Sequence, residues 1–278
     1  MKEIKEQKFM GERALFSAQS LILQNCIFKD GESPLKHSEQ IRVTNSHFAY
    51  KYPFWYSKNI DVKDCTFSQM ARAGIWYSSN LRFTDVLFEA PKAFRKSSQI
   101  LLENITFTDA AETLWNCTDI RAKNISAKGD YFAMNCENVE FIGLNLVGNY
   151  SFDGCKNVHI KDSKLLSKDA FWNCENVVVE NCVIIGEYLG WNSKNITLIN
   201  CTVESLQGMC YIQNLVMREC MCADTTLAFE YSTVDVEILG KIHSVKNPLC
   251  GRIKAKEITE VIMDEDLVDP SKTEIITN

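Results

Sequence analysis

Short runs of alternating apolar and polar residues recur along the chain at a nearly constant interval. In one such run, aliphatic Val158 and Ile160 alternate with polar His159 and Lys161. A period of two residues is typical of a β-strand with one buried face. The same pattern returns at Val177, 19 residues later. The alternation therefore predicts many short strands that occupy equivalent positions in a repeat.

The repeat runs through most of the chain. Its aliphatic start positions are Leu21, Ile41, Ile60, Leu81, Ile100, Ile120, Val139, Val158, Val177, Ile196, Leu215, Val234 and Ile253. A period of 19 to 21 residues is shorter than that of helical repeats, and the Leu-x-x-Leu-x-Leu pattern of leucine-rich repeats is absent. We therefore predict an all-β fold, a single right-handed parallel β-helix (a solenoid) of about twelve coils.

The ends of the chain depart from the repeat. A solenoid needs atypical terminal units because a bare end would expose a sheet edge and an apolar core. We predict an N-terminal cap at residues 1–20, the parallel β-helix at residues 21–255, and a C-terminal cap with an acidic tail at residues 256–278. Although 278 residues would allow two domains, one continuous array favours a single elongated one.

Two other columns of the repeat have structural explanations. The residue before a start is often asparagine, which tolerates left-handed turn geometry, so we expect a corner at this position. These residues are Asn59, Asn80, Asn138, Asn157, Asn176, Asn195 and Asn214. A second column contains one phenylalanine per coil and is expected to fill the core. Its members are Phe28, Phe48, Phe67, Phe88 and Phe107.

Charge and cysteine content narrow the possible partners. The net charge of −6 is spread along the chain without a basic patch, so we expect neither nucleic acid nor a membrane as a partner. The N-terminus lacks the apolar run of a signal peptide, and we expect a cytoplasmic protein. The 12 cysteines are then expected to be buried free thiols. Without a CxxC pair, we predict no metal and no cofactor.

All 5 tryptophans fall in one column of the repeat, four residues before the corner. If this column faces outward, its indole rings could stack on the apolar faces of sugars; if it faces inward, the rings form a core ladder. Strand parity across the corner leaves both orientations open. The candidate substrate-binding residues are Trp55, Trp76, Arg95, Trp115, Trp172, Trp191 and Tyr188.

Acidic residues beside this column are candidates for catalysis. Glycosidases use two carboxyl groups, about 5–5.5 Å apart in retaining enzymes and about 6.5–9.5 Å apart in inverting ones. Neighbouring coils could supply such a pair, although adjacent acids also arise on any charged solenoid face. The candidate catalytic residues are Glu112, Asp130, Asp153, Asp169 and Glu187.

The repeat resembles the pectin-lyase-like right-handed β-helix superfamily. The segments Gly11–Phe16, Lys51–Tyr56, Ala71–Tyr77 and Gly186–Asn192 are similar to a bacterial family catalogued as a domain of unknown function. This resemblance implies the fold and a bacterial cytosolic setting, but it brings no catalytic residues. Of the polygalacturonase motifs, only Arg252-Ile253-Lys254 is present.

The sequence thus favours a protein that binds or processes a carbohydrate along an aromatic and acidic face. Whether it is an enzyme stays open, and an enzyme would be glycoside hydrolase-like or polysaccharide lyase-like. The alternative is a non-enzymatic scaffold whose exposed stripe binds another protein or a second copy of the chain, which would make it a homo-oligomer.

Overall fold

The computed structural model describes residues 1–277, which form a β-solenoid of parallel stacked strands with about 15 turns. Two compact units share the chain, a first unit, Met1–Asn145, and a second unit that begins at Leu146. The β-helical fold predicted from the sequence is confirmed. No helix in the described residues is long and apolar enough to cross a membrane.

The strands of the first unit are β1 (Lys2–Lys5), β2 (Lys8–Phe9), β3 (Gln19–Gln24), β4 (Ile27–Phe28), β5 (Glu39–Thr44), β6 (His47–Phe48), β7 (Lys58–Lys63), β8 (Thr66–Phe67), β9 (Ile75–Trp76), β10 (Ser79–Phe88), β11 (Phe94–Arg95), β12 (Ser98–Phe107), β13 (Thr118–Lys128) and β14 (Glu137–Val147), which contains the unit boundary. The second unit continues with β15 (Lys156–Lys161), β16 (Lys164–Leu166), β17 (Glu175–Glu180), β18 (Val183–Ile185), β19 (Lys194–Ile199), β20 (Thr202–Leu206), β21 (Gln213–Thr226), β22 (Thr233–Lys246), β23 (Cys250–Ile262), a short 3₁₀ helix (Pro270–Lys272) and β24 (Thr273–Thr277).

The strand register follows the spacing of the aliphatic start positions. Leu21 pairs with Ile41 between β3 and β5, and Val158 pairs with Val177 between β15 and β17. Each start residue is buried, as is the residue two positions later, while the residues between them lie on the outer face. Residues one period apart are therefore neighbours on adjacent coils within each unit.

The number of turns exceeds the predicted twelve because coils at both ends lack an aliphatic start. Strand β1 pairs with β3 so that Lys2 lies beside Leu21, and β24 continues the stack from β23. The last residue of the expected acidic tail, Asn278, lies outside the described residues.

One start position was also misplaced, because Val234 pairs with Gly251 rather than with Ile253. Gly251 has φ +122°, and a Cβ there would lie 1.8 Å from the Val234 carbonyl oxygen, so only glycine fits.

The predicted corners are left-handed. Asn59, Asn80 and Asn176 have φ between 54° and 59°. Their side-chain amides also form ladders from coil to coil: Asn80 donates to Asn59 at 2.6 Å, and Asn195 donates to Asn176 at 2.8 Å. Asparagine therefore supplies both the turn and a lateral hydrogen bond.

The phenylalanine column fills the core of the first unit, as predicted. Phe28 and Phe48 stack with centroids 4.6 Å apart, and Phe67 and Phe88 stack at 4.5 Å. Eleven of the cysteines are buried and Cys250 is half-buried, and all are free thiols within residues 1–277. Small thiols and large rings thus pack in separate columns of the interior.

Candidate functional site

The tryptophan column of the first unit lies on the outer wall of the solenoid. Its neighbours in the chain, Phe54 and Ile75, point inward and are fully buried, whereas Trp55 and Trp76 are half-buried. Adjacent coils align the column, since Trp76 pairs with Arg95 between β9 and β11. The column is thus neither a core ladder nor a fully exposed track.

The rings of this column cover one another. Trp55 and Trp76 stack at a centroid distance of 5.2 Å and an interplanar angle of 6°. The Arg95 guanidinium carbon lies 4.6 Å from the Trp76 ring centroid and 4.5 Å from that of Trp115. Because sugars stack on ring faces, this arrangement leaves few indole faces for a ligand in the first unit.

Four of the five indole N–H groups are also occupied. Each of the four donates to a backbone carbonyl of the following coil: Trp55 to Ala73 at 2.5 Å, Trp76 to Lys92 at 2.9 Å, Trp115 to Tyr131 at 2.6 Å, and Trp172 to Tyr188 at 2.7 Å. All four accepting residues have positive φ. The tryptophans therefore bind a second corner of the coil, which gives them a structural role.

Glu112 takes part in an ion-pair cluster. Its Oε2 lies 3.0 Å from Lys92 Nζ and 3.0 Å from Arg95 Nη2. Glu112 thus bridges the side chains of Lys92 and Arg95 and gives the column electrostatic support.

The second unit has a looser aromatic group around Trp191. The ring centroid of Trp191 lies 6.0 Å from that of Trp172 and 4.4 Å from that of Tyr211. Tyr188 meets Trp191 edge-on at 6.2 Å. Within the described residues no ring stacks parallel on half-buried Tyr188, so this group retains a ring that a ligand could contact.

The other predicted carboxylates have separate environments. Asp130 is exposed, and Asp153 accepts a hydrogen bond from Asn173 at 2.8 Å. Asp169 is buried, and its pKa is raised, first by desolvation and then by the negative charge of Glu187. Glu187 pairs with Lys168 at 2.9 Å. Among these carboxylates, Asp169 is thus the one whose pKa the neighbouring Glu187 helps to raise.

A groove of about 430 Å³ on the second unit contains Glu187 but none of the tryptophans. It crosses adjacent coils, and its apolar part consists of Leu166, Ile185 and Leu206. Lys168 and three carboxylates supply its charges; these carboxylates belong to Glu187, Glu204 and Asp224. No cation pairs with Glu204 or Asp224 within residues 1–277.

Sequence reasoning missed most of this groove. Leu166, Ile185 and Glu204 occupy one column, and Ile185 pairs with Glu204 between β18 and β20. The only sequence signal was the replacement of an aliphatic residue by glutamate within that column. No group of three or more potential metal ligands occurs among the described residues.

Comparison with known proteins identifies a family. A family model described as "Protein of unknown function (DUF3737)" matches residues 2–276. No curated protein matches the chain.

Solved structures that resemble this one share 9–12% identity with it. The surface adhesin PfbA of Streptococcus pneumoniae has 12% identity and a TM-score of 0.48, over 81% of this chain and 71% of that one. The plasmid-mediated fluoroquinolone resistance protein QnrB1 has 10% identity and a TM-score of 0.25, over 80% and 94%. The tailspike of E. coli bacteriophage HK620 in complex with pentasaccharide has 10% identity and a TM-score of 0.35, over 92% and 65%.

Proposed function

Because the chain belongs to the family described as "Protein of unknown function (DUF3737)", we propose a function from its own geometry: the groove of the second unit binds a neutral carbohydrate. The observation that carries this proposal is the combination of an aliphatic surface with two carboxylates, Glu204 and Asp224, that lack a cation partner in the described residues.

Carbohydrates match this combination. A sugar ring has an apolar C–H face and a rim of hydroxyl groups, and Leu166, Ile185 and Leu206 offer an apolar surface of similar character. Ionised carboxylates accept hydrogen bonds from hydroxyl groups, and such charge-assisted bonds are stronger than neutral ones. Negative carboxylates disfavour an anionic sugar, so a neutral glycan fits this groove best.

The size and position of the groove agree with ligand binding. Its volume of about 430 Å³ falls in the ordinary range of small-molecule sites. Lys168 and Glu187 pair at one end, where they can donate to and accept from hydroxyl groups. We assign binding to this groove; of the five predicted catalytic carboxylates, Glu187 is the one that lines it.

The test is calorimetric titration of the full chain with a panel of neutral oligosaccharides. Glu204→Gln keeps the shape of the side chain but weakens its hydrogen bonds, so we expect a loss of about 1–2 kcal/mol in binding free energy, or about 5- to 30-fold in affinity. Asp224→Asn should act in the same direction.

Glu219→Gln is the matched control, because Glu219 is an exposed glutamate of the second unit outside the groove. The Glu219→Gln variant should bind the oligosaccharide with the same affinity as the wild type. The proposal is refuted if no neutral oligosaccharide binds, or if Glu219→Gln and Glu204→Gln weaken binding equally.

A further inference from the structure

A row of exposed aromatic rings in the first unit lies beside the tryptophan column and is not used by the groove of the second unit. Phe16, Tyr56 and Tyr77 are 43%, 43% and 39% exposed, and His37 is exposed between Phe16 and Tyr56. His37, Tyr56 and Tyr77 occupy the same corner on successive coils. We refer to these four residues as the aromatic ridge.

The backbone at this corner does not favour bulky side chains. His37, Tyr56 and Tyr77 have φ of 60°, 55° and 57°, a conformation in which asparagine is the ordinary non-glycine choice. In the second unit the same corner is occupied by Asn173 and Asn192, which hydrogen-bond to each other at 2.8 Å, as well as by Tyr211 and Tyr231, so the turn itself does not require a ring. Large rings at the first-unit corner are therefore not explained by the turn.

The rings stack along the coils and present their edges to solvent. His37 and Tyr56 lie 5.1 Å apart at an interplanar angle of 10°, and Tyr56 and Tyr77 lie 4.8 Å apart at 5°. An aromatic ring is negative on its face and positive at its edge. Tyr56 has a ring stacked on both faces and therefore offers solvent its electropositive edge, whereas Phe16 meets His37 edge-on at 5.6 Å.

Three cations reinforce this polarity. Arg13 lies 5.3 Å from the Phe16 centroid, Lys36 lies 5.6 Å from the Tyr56 centroid, and Lys96 lies 5.7 Å from the Tyr77 centroid. Within residues 1–277 none of these cations has a carboxylate partner. The chain as a whole carries a net charge of −6, so this unpaired positive charge is local.

We propose that the aromatic ridge, with Arg13, Lys36 and Lys96, is a docking surface for an acidic peptide segment of a partner protein. Carboxylates of the partner complement the unpaired cations and the ring edges. Tyrosine and arginine are enriched at protein interfaces, where an apolar body and a polar tip serve together. Single-stranded nucleic acid fits less well, because base stacking needs ring faces, and the stack of His37, Tyr56 and Tyr77 uses most of the faces of these three rings.

The spacing sets the expected form of the peptide. Lys36 and Lys96 are separated by three coil steps, or about 14 Å at the ordinary strand spacing. An extended chain advances about 3.4 Å per residue, so acidic side chains about four residues apart reach both lysines. A peptide with acidic residues at alternating positions satisfies this condition in the extended state.

The test measures fluorescence anisotropy of a short labelled peptide of alternating aspartate and serine, added to the full chain. The same peptide with asparagine in place of aspartate is the ligand control. We expect the acidic peptide to bind, with an affinity that falls as salt is raised, and the asparagine peptide to bind at least roughly tenfold more weakly.

Protein variants locate the site. Lys36→Gln combined with Lys96→Gln should weaken binding roughly tenfold. Lys63→Gln combined with Lys123→Gln, which removes two exposed lysines of the same unit that have no ion pair among the described residues, should leave it unchanged. Tyr77→Asn places at this corner the residue type of Asn173 and Asn192, so the fold should persist while affinity falls.

Four results would overturn the proposal: no binding of the acidic peptide to the wild type, equal binding of the asparagine peptide, equal loss in the two lysine double variants, or tighter binding of single-stranded DNA than of the peptide. Circular dichroism of each variant separates a lost surface from a lost fold.

Discussion

Replacing Arg95 by methionine tests whether the cation between two indole rings stabilises the first unit. The guanidinium lies between Trp76 and Trp115, at 4.6 and 4.5 Å from their centroids, and pairs with Glu112 at 3.0 Å. Methionine keeps an unbranched apolar stem of similar length but removes the charge. Lys92 still pairs with Glu112, so the substitution does not leave that carboxylate alone.

The expected cost follows from these contacts. The Arg95 side chain is only 19% exposed, which places its cation–π contacts between the exposed and desolvated limits, at about 1 kcal/mol each. The partly exposed ion pair with Glu112 adds about 0.5 kcal/mol. We therefore expect Arg95→Met to lower the local free energy of unfolding by about 2.5 kcal/mol.

Hydrogen exchange is the appropriate assay, because a repeat array of this kind need not unfold in one step. A loss of about 2.5 kcal/mol corresponds to an increase of about 70-fold in the exchange rate of protected amides. The increase should appear in β9 and β11, which pair at Arg95 and Trp76. Strands of the second unit should exchange at the wild-type rate.

Two variants sharpen the interpretation. Lys96→Met removes a cation that lies over one ring at 5.7 Å on an exposed residue, and its effect should stay within about 0.5 kcal/mol. Arg95→Lys keeps the charge but lacks the planar group that contacts both rings, so its cost should be intermediate. If the amides of Arg95→Met exchange at the wild-type rate, the stacked cation contributes nothing to the local free energy of unfolding.

Two further predictions concern a buried acid and a corner. The raised pKa of Asp169 means that its neutral form is favoured in the folded state, so stability should fall as pH rises above the ordinary value of 3.8. Asp169→Asn should therefore raise the melting temperature at neutral pH. Below pH 3.8 this difference in melting temperature from the wild type should disappear. As a control, Asp30→Asn changes an exposed residue and should alter the melting temperature little. Asn181→Ala introduces alanine at φ 54° and removes two ladder hydrogen bonds, of 3.0 and 2.9 Å. It should cost about 2–3 kcal/mol by local hydrogen exchange, and Asn181→Gly should cost less; equal losses would show that the left-handed backbone is unimportant there.

The fold was predictable because its repeated columns follow from local chemistry. The alternation of apolar and polar residues predicted the strands, the asparagines predicted the left-handed corners, and the phenylalanine column predicted the core. The end coils were missed because Lys2 and Thr273 stand where most of the other coils have an aliphatic residue. Backbone pairing, which does not depend on the side chain, continues the stack there.

The candidate site was predictable only in part. The column containing Trp55 and Trp76 was located correctly, but its half-buried orientation depends on how the chain turns at the neighbouring corner, which alternation does not specify. The groove was missed because it joins residues such as Leu206 and Asp224, whose columns have no common residue type. The groove forms where the register between successive coils shifts, as it does between Glu204 and Leu206. A single sequence does not reveal such a shift.

The uniform 19-residue register from Val158 to Leu215 has a consequence for how such a chain can change over time. If one whole coil is inserted or deleted, every later side chain keeps its orientation toward the core or the solvent, because each coil contacts only the coils directly before and after it. Change by any other amount turns inward-facing residues toward solvent. A solenoid of this kind can therefore become longer or shorter in steps of 19 residues while the remaining coils keep their packing.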